Sequence, residues 1–346
     1  MNILVIGCGK MGLSHCSLFN SHPSVDKVYI EDKSKALLSQ IYRHTNLHRF
    51  DGYLNDFIVS DEINGVVVAT PTQNHYEFAK LAILSNKTCF IEKPITSNFS
   101  NSFDLFNLAC SNNVPLFSGY VNRFNPIMNL AKKLIINGSI GEVVHYHNRM
   151  TGCVVKPSNS KSTSNSNATL NSAMVEYGSH AINLALFFFG HPLNMTISAK
   201  RSIFSKNSDD YGEIILHHTN SIIGSNTVNW CDLTQRKAFN SIEIWGDKGF
   251  MKITKQTLQL YSESENCDDG GYKKGWNSWT TPEIVKGSDY YLRGEDYSLQ
   301  AQSFVKLMKK SGEWKSAFVD AVITDEILNF YQNNNMTASY ENFFRR

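Results

Sequence analysis

ILVIGCGKMG, residues 3–12, joins four apolar residues to a turn with three glycines and then to a helix-like stretch. A continuous apolar run of this kind is typical of a strand that is buried on both faces of a parallel sheet. Gly7 allows a tight turn, Gly9 lets the backbone approach a pyrophosphate, and Gly12 lets the next helix pack closely on the strand. The pyrophosphate would lie at the N-terminus of that helix. The stretch therefore predicts a strand, turn and helix that bind a dinucleotide.

A second apolar strand, expected over 28–30, ends at Glu31 and Asp32. Asp32 follows Gly12 at the spacing from which a carboxylate accepts hydrogen bonds from the adenosine ribose, so it favours NAD as the cofactor. A ribose 2′-phosphate would meet the negative charge of Asp32, although Lys33 could pair with it, so NADP stays possible. The alternative interpretation is a solvated turn with two acids and a lysine.

Strands and helices alternate through the following residues. The pattern predicts helices over 35–42, 76–85 and near 103–109, and strands over 65–69, 88–91 and 114–118. Such alternation is typical of an α/β fold with a doubly wound parallel sheet, which binds ligands at the carboxyl ends of its strands. Two segments follow strand ends, ATPTQNH (69–75) and EKP (92–94), and both should lie over the nicotinamide.

Lys93 is the candidate for proton transfer in the second of these segments. The following Pro94 restricts the backbone of Lys93, and the long side chain can reach into the crevice beyond the strand. A partly desolvated ammonium can exchange a proton with a substrate hydroxyl, which makes Lys93 a candidate acid or base. The alternative is an exposed lysine that pairs with Glu92.

Length and composition limit the class of protein. The 346 residues suit two domains, and 33 basic against 31 acidic side chains leave no strong field for nucleic acid or an anionic membrane. No apolar run is long enough to span a bilayer, and a signal-peptide pattern is absent, so a cytoplasmic location is expected. The seven cysteines are scattered without a CxxC pair, so neither a disulfide framework nor a metal site is expected. The expected partner is a small molecule.

The segment YVNRFNP (120–126) leads into a second domain. Asn125 and Pro126 suit the cap and the first position of a helix that runs to about Ile136. Arg123 is either one half of a structural ion pair or a contact for an anionic or hydroxyl-rich ligand. Alternating patterns then predict an open, mainly antiparallel sheet, with strands over 143–150, 196–204, 211–217, 221–230, 238–245 and 249–254. The expected domains are 1–122, a Rossmann domain, and 123–346, an α+β domain whose last helices could pack back on the first.

A helix expected over 174–189 carries a second set of polar groups. Glu176 and His180 are four residues apart and Asn183 is three further along, so all three share one face. A carboxylate at Glu176 can orient the imidazole of His180 for proton transfer, whereas the alternative is a helix with one polar stripe. The polar stretch 158–172 before this helix predicts a loop, either a lid over substrate or an incidental insertion.

Several motifs resemble, in order and spacing, the Gfo/Idh/MocA family of nicotinamide-dependent sugar and cyclitol oxidoreductases. They are ILVIGCGKMG, VVVATPTQNH, EKP, VNRFNP, EYGSHAIN, GDKGFMKI and YLRGEDYSLQAQSF, and they cover nearly the whole chain. The resemblance implies that Lys93 of the EKP motif transfers a proton together with a histidine, which should be His180. Relatives of this kind are mostly dimers or tetramers, so a homo-oligomer is expected.

The motifs and the resemblance together give three sets of site residues. The expected catalytic residues are Lys93, His180 and Glu176. The expected cofactor-binding residues are Gly7, Gly9, Lys10, Met11, Gly12, Asp32, Lys33, Thr70, Pro71, Thr72, Asn74, His75, Glu92 and Lys93. The expected substrate-binding residues are Lys93, Tyr120, Arg123, Asn125, Arg149, Glu176, His180 and Asn183.

The chain departs from the family pattern at the helix over 174–189. Glu176 stands where many members have aspartate, and Asn183 stands where a second aspartate usually follows the histidine. Glu176 keeps the charge, whereas Asn183 loses it, which puts the role of Asn183 in substrate binding in question. A non-catalytic regulator that binds the cofactor is therefore one alternative function.

Within the family, the RFNP junction, Arg149 and the SAMVEYGSH stretch look most like enzymes that oxidise the 3-hydroxyl of a UDP-N-acetylhexosamine for surface-polysaccharide synthesis. Arg123 and Arg149 would then bind the diphosphate. Oxidation of a free sugar or an inositol is the other alternative, and it requires no diphosphate site. In either reaction a secondary alcohol loses a hydride to the nicotinamide while Lys93, aided by His180, takes the hydroxyl proton.

Overall fold

The computed structural model describes residues 1–155, 172–206, 208–266, 271–285, 294–309, 312–334 and 339–341. These residues divide into two compact units. The first unit holds 1–124 and the described part of 287–326, and the second holds the described parts of 125–286 and of 327–346. Except for Ser172, the stretch interpreted as a lid or an insertion lies outside the described residues.

The strands and helices follow one another along both units. The described strands are β1 (Asn2–Ile6), β2 (Lys27–Glu31), β3 (Gly65–Val68), β4 (Thr88–Ile91), β5 (Leu116–Ser118), β6 (Val143–Thr151), β7 (Pro192–Arg201), β8 (Tyr211–His218), β9 (Ile223–Asn229), β10 (Phe239–Gly246), β11 (Gly249–Thr254), β12 (Thr257–Ser262), β13 (Gly275–Thr280) and β14 (Ser339–Glu341). The described α-helices are α1 (Lys10–Asn20), α2 (Lys35–His44), α3 (Leu54–Val59), α4 (His75–Leu84), α5 (Phe99–Asn112), α6 (Pro126–Ile136), α7 (Ser179–Phe189), α8 (Thr281–Ile284), α9 (Glu295–Met308) and α10 (Lys315–Asn333).

The sheet of the first unit is parallel, with its described strands in the order β2-β1-β3-β4-β5. Every side chain of β3 and β4 is buried, as is every side chain of β1 after Asn2. Burial on both faces explains why these strands are continuous apolar runs in the sequence. The predicted Rossmann-type sheet is confirmed, while the short helix α3 was not predicted.

Helix α9 completes the core of the first unit although it lies far along the chain. Phe19 of α1, Phe90 of β4 and Phe304 of α9 are all fully buried. The ring of Phe304 lies 5.6 Å from that of Phe19 and 5.5 Å from that of Phe90, between ring centroids. Such tilted and edge-on aromatic contacts stabilise a core beyond their buried area.

The second unit is built on one large sheet. Its described strands run in the order β13-β12-β11-β10-β6-β9-β8-β7-β14. Neighbouring strands are antiparallel except for β6 and β9, which are parallel. The predicted open, mainly antiparallel sheet is therefore confirmed, and β12 and β13, which were not predicted, extend it at one edge.

Helix α7 covers the buried face of this sheet at β6. Asn148 donates a hydrogen bond from Nδ2 to the Ala181 carbonyl oxygen at 2.8 Å, and the Tyr146 ring stacks on Phe189 at 4.2 Å. Because side chains alternate along a strand, Tyr146 and Asn148 define the face of β6 that meets α7.

None of the helices in the described ranges is long and apolar enough to cross a membrane. The cysteines in those ranges, at positions 8, 16, 89, 110, 153 and 231, are free thiols.

Candidate active site

The glycine turn between β1 and α1 has one open side. Gly7 has a φ of +106°, and a Cβ there would lie 2.5 Å from the Ala69 carbonyl oxygen. A Cβ on Gly12 would lie 1.8 Å from the Gly7 carbonyl oxygen, whereas a Cβ on Gly9 would meet no atom within 4 Å. The backbone is thus packed against β3 and α1 at two glycines and open to a ligand at the third.

Asp32 holds this turn in place from the end of β2. Its Oδ2 accepts a hydrogen bond from the Cys8 backbone N–H at 2.8 Å, and its Oδ1 accepts one from Ser34 N–H at 2.9 Å. Each carboxylate oxygen has a further lone pair, so the partly exposed side chain retains capacity for a ribose hydroxyl. Lys33 beside it is exposed.

The segment after β3 contributes Thr70 and His75. The Thr70 hydroxyl oxygen is buried and has no hydrogen-bond partner among the described residues. His75 is 1 % exposed, with Nε2 2.9 Å from the Thr70 carbonyl oxygen and Nδ1 3.0 Å from that of Pro94. Both ring nitrogens of His75 face backbone carbonyl oxygens. This position suits a residue that holds the segments after β3 and β4 together better than one that contacts the cofactor directly.

Glu92 is enclosed at the end of β4 and pairs with His15 of α1. Glu92 Oε1 lies 2.7 Å from His15 Nε2, and Oε2 accepts a hydrogen bond from the Lys93 N–H at 3.1 Å. Burial raises the pKa of Glu92, but the His15 contacts and the Lys93 N–H outweigh it and hold the pKa below its ordinary value. The carboxylate of Glu92 is therefore used inside the unit, and His15 is a site residue that the sequence reasoning missed.

Lys93 follows directly at the carboxyl end of β4 and is half-buried. The same edge of the sheet carries the glycine turn after β1 and Thr70 after β3, because all of these strands are parallel. The remaining cofactor candidates lie around the turns, with Lys10, Pro71 and Asn74 exposed and Met11 and Thr72 partly exposed. The first unit thus brings the predicted proton-transfer group and the predicted cofactor turn to one edge.

The predicted substrate contacts at the end of the first unit and the start of the second have structural partners. Arg123 Nη2 lies 2.6 Å from Asp320 Oδ2, and each side chain is 12 % exposed. Of the two interpretations of Arg123, the structure therefore shows the ion pair. Asn125 Oδ1 accepts hydrogen bonds from the N–H groups of Ile127 and Met128, which confirms the predicted helix cap. Tyr120 is 1 % exposed.

In the second unit a π-helix, Met174–Gly178, leads directly into α7. It carries Glu176, and the first turn of α7 carries His180; both side chains are partly exposed, whereas Asn183 is 1 % exposed. The predicted helix over 174–189 is confirmed, with a wider first turn than expected. Single π turns within helices are frequent at functional sites.

Arg149, predicted to bind substrate together with His180, lies on the exposed side of β6. It alternates along β6 with Asn148 and Met150, which are buried, so its exposed side chain points to the face of the sheet opposite α7.

The described residues contain no group of three or more His, Cys, Asp or Glu side chains that could hold a metal ion. In the first unit, the groups available for chemistry are the open glycine turn, the Thr70 hydroxyl, Asp32 and the half-buried side chain of Lys93.

Comparisons with known proteins agree with this arrangement. Residues 1–120 match the model of an oxidoreductase family with an NAD-binding Rossmann fold, and residues 128–252 match the Gfo/Idh/MocA C-terminal domain. An uncharacterized oxidoreductase of Schizosaccharomyces pombe is 29% identical over a stretch that covers 54% of this chain and 49%, about half, of that relative.

Two relatives with named activities are also similar. The levoglucosan dehydrogenase of Pseudarthrobacter phenanthrenivorans is 22% identical over 95% of both chains. The NAD-dependent scyllo-inositol 2-dehydrogenase of Bacillus subtilis is 27% identical over 41% of this chain and 42% of its own length. A solved structure of a levoglucosan dehydrogenase with NADH and levoglucosan shares the fold, with a TM-score of 0.79 and 19% identity over 95% of this chain and 96% of that one. Two models of one family thus match most of the sequence, and the chain belongs to the Gfo/Idh/MocA family of oxidoreductases, whose N-terminal domain is an NAD-binding Rossmann fold.

Proposed function

We propose that the protein is an NAD-dependent dehydrogenase that oxidises a secondary hydroxyl of an unphosphorylated sugar or polyol. The observation that carries the proposal is the position of Lys93, half-buried at the sheet edge where the glycine turn opens. Ligands of doubly wound sheets bind at this edge. The named activities of the levoglucosan and scyllo-inositol dehydrogenases support the substrate class.

The residues of the first unit fit the cofactor. The open side of Gly9 would admit the pyrophosphate, and Asp32 would accept from the adenosine ribose. The buried Thr70 hydroxyl, which has no hydrogen-bond partner in the described chain, is available to a polar group of the nicotinamide half. NAD, when bound, accepts a hydride from the carbon that carries the hydroxyl group.

Lys93 supplies the proton chemistry in this proposal. As a neutral amine, Nζ takes the hydroxyl proton of the substrate while the carbon loses its hydride; as the ammonium so formed, it returns the proton when a ketone is reduced. His180, oriented by Glu176, is the second proposed proton-transfer group, assigned from the family resemblance and from the partial exposure of both side chains. Each assignment can be tested by its own variant.

The nucleotide-sugar alternative, oxidation of the 3-hydroxyl of a UDP-N-acetylhexosamine, needs a diphosphate site. Arg123 is paired with Asp320, and Arg149 points to the face of the sheet opposite α7. Neither of the arginines predicted to bind diphosphate is thus arranged for that task, and this observation favours a substrate without phosphate.

The first experiment is an assay of NAD reduction with levoglucosan, free hexoses, inositols and UDP-N-acetylglucosamine. We expect turnover with an unphosphorylated compound, and we expect Lys93→Ala and His180→Ala each to lower kcat by about 10²- to 10⁴-fold while NADH still binds. Lys87→Met is the control variant. Lys87 immediately precedes the first residue of β4, at the end of the strand opposite to Lys93, and its ammonium donates a hydrogen bond to the Ser60 carbonyl oxygen.

Three outcomes would contradict the proposal in different ways. Turnover with UDP-N-acetylglucosamine alone would restore the nucleotide-sugar function. NADH binding without turnover of any compound would favour a regulator that only binds the cofactor. Full activity of Lys93→Ala would remove Lys93 from the mechanism.

A further inference from the structure

The backbone that follows Lys93 is held from two sides within the first unit. On one side the His75 ring faces the carbonyl oxygens of Pro94 and Ile95, at 3.0 and 3.2 Å from Nδ1. On the other side the Thr96 N–H donates a hydrogen bond to Asp325 Oδ2 at 3.1 Å. The three residues after Lys93 therefore each have a backbone group within hydrogen-bond distance of His75 or Asp325, and the position of the lysine depends on this backbone.

Asp325 lies on α10, far along the chain from this segment, and is 4 % exposed. Its Oδ2 also accepts a hydrogen bond from the Ser102 hydroxyl at 2.7 Å, and Ser102 Oγ lies 2.8 Å from Thr96 Oγ1. One carboxylate oxygen thus joins α10, the first turn of α5 and the Lys93 segment in a closed set of hydrogen bonds.

A buried carboxyl group costs free energy unless its hydrogen bonds are satisfied. Neither the proposed hydride transfer nor the cofactor turn uses Asp325. Its described hydrogen bonds go to the backbone of the Lys93 segment and to Ser102, which itself contacts that segment. Oδ1 is buried without a hydrogen-bond partner among the described residues, so what this buried acid contributes is the pair of hydrogen bonds that Oδ2 accepts from Thr96 and Ser102.

We propose that Asp325 is a positioning residue for Lys93. It fixes the backbone three residues beyond the lysine, so that Lys93 Nζ keeps one distance from the reacting hydroxyl. The inference rests on the proposed function, because it gives Asp325 a role only if Lys93 transfers the proton. Misplacement of a catalytic group by about 1 Å costs up to about 10²-fold in rate.

Two substitutions of Asp325 separate positioning from general stability. Asp325→Leu removes both acceptor oxygens from the core, and apolar replacements of buried charges often preserve folding. Asp325→Asn keeps one oxygen that can accept from Thr96 and Ser102. We expect Asp325→Leu to lower kcat by about 10- to 100-fold with the Kd for NADH within about twofold, and Asp325→Asn to retain kcat within about threefold.

Ser102→Ala provides a second test of the inference, and Lys87→Met provides a control for loss of stability. Ser102→Ala removes one of the two donors to Asp325 and should lower kcat by a few-fold, which keeps the test valid if Asp325→Leu does not fold. Lys87→Met removes the partly buried hydrogen bond to the Ser60 carbonyl oxygen just before β4 begins, so it should lower the Tm without lowering kcat.

The outcomes distinguish this inference from the proposed function. If the wild type turns over substrate and Lys93→Ala does not, full kcat in both Asp325→Leu and Ser102→Ala would overturn the inference alone. Equal loss of kcat in Asp325→Asn and Asp325→Leu would also overturn it, because the retained acceptor would then have no effect. A wild type without turnover of any compound would overturn both.

Discussion

Two buried histidines lie beside the candidate site and have different partners. His15 meets the Glu92 carboxylate, whereas His75 faces only backbone carbonyl oxygens in its described hydrogen bonds. Burial lowers the pKa of His75 against the raising effect of the carbonyls and of Glu92, so the neutral ring is favoured at neutral pH. A neutral imidazole donates through one nitrogen, so His75 gives its proton to one of the two strand-end segments at a time.

Asp325 should make the free energy of unfolding decrease as the pH rises, which is the opposite of the usual effect of a carboxyl group. Burial raises its pKa to about 7, although the Ser102 hydroxyl and the N–H groups of Thr96 and Ile95 lower it. Between its ordinary value of 3.8 and about 7, the folded chain holds a proton at Asp325 that the unfolded chain has lost. The contribution to stability is therefore complete below pH 3.8 and is lost as the pH rises to 7, by up to about 1.4 kcal/mol per pH unit.

Urea unfolding of the wild type and Asp325→Asn at pH 5, 6, 7 and 8 tests this prediction. The wild type should lose free energy of unfolding relative to Asp325→Asn between pH 5 and 7, and the difference should level off near pH 8. A difference that stays constant over this range would show that Asp325 does not titrate there.

At the scale of elements, the turn between β1 and α1 predicts opposite effects for two similar substitutions. Gly9→Ala adds a methyl group where no atom lies within 4 Å, and the φ of −68° at Gly9 suits alanine. The variant should keep its Tm within about 2 °C but bind NADH about tenfold more weakly, because the methyl occupies the approach of the pyrophosphate.

Gly12→Ala should instead destabilise the fold. Its methyl would lie 1.8 Å from the Gly7 carbonyl oxygen, so α1 must move away from the turn, at a cost of about 1–3 kcal/mol or more. Thermal unfolding and NADH fluorescence titration of both variants check the pair. Unchanged NADH affinity in Gly9→Ala would place the cofactor away from this turn.

The sequence predicts best the elements that carry a clear local signal. β4 has the predicted bounds, and α6 begins at Pro126 and ends at Ile136 as expected, because a fully buried strand and a capped helix leave clear signals. β12 and β13 were not predicted, and the polar stretch 262–274 separates them along the chain. β7 was predicted over 196–204 but runs from Pro192 to Arg201, and proline, which is uncommon within strands, stands at its first position.

The candidate site is only partly readable from local sequence. The glycine turn and the EKP motif are short, continuous and chemically distinctive, so Gly9, Asp32 and Lys93 were identified. His15 and Asp325 carry no local signal, because each is recognised only by its partner: Glu92 for the first, and Thr96 and Ser102 for the second. Such long-range pairs require the tertiary structure.

At the scale of the whole molecule, the chain places its cofactor turn and its second candidate proton-transfer group in different units. The glycine turn, Thr70 and Lys93 belong to the first unit, and Glu176 and His180 belong to the second. Cofactor and substrate should therefore leave separate footprints in hydrogen exchange measured by mass spectrometry.

NADH alone should slow exchange mainly in the first unit, in peptides over 7–12, 69–75 and 92–96. At 100 times its Kd, a ligand that binds only the folded state adds about 2.7 kcal/mol, which corresponds to about 100-fold slower exchange for amides that exchange through opening of that unit. Addition of the unphosphorylated substrate identified in the assay should then slow exchange at the π-helix and the first turn of α7, around Glu176 and His180. The strands β11 to β13 serve as the internal control, because no candidate site residue lies on them. Protection by NADH confined to the second unit, or no added protection at 174–180 with substrate present, would contradict the proposed division of roles.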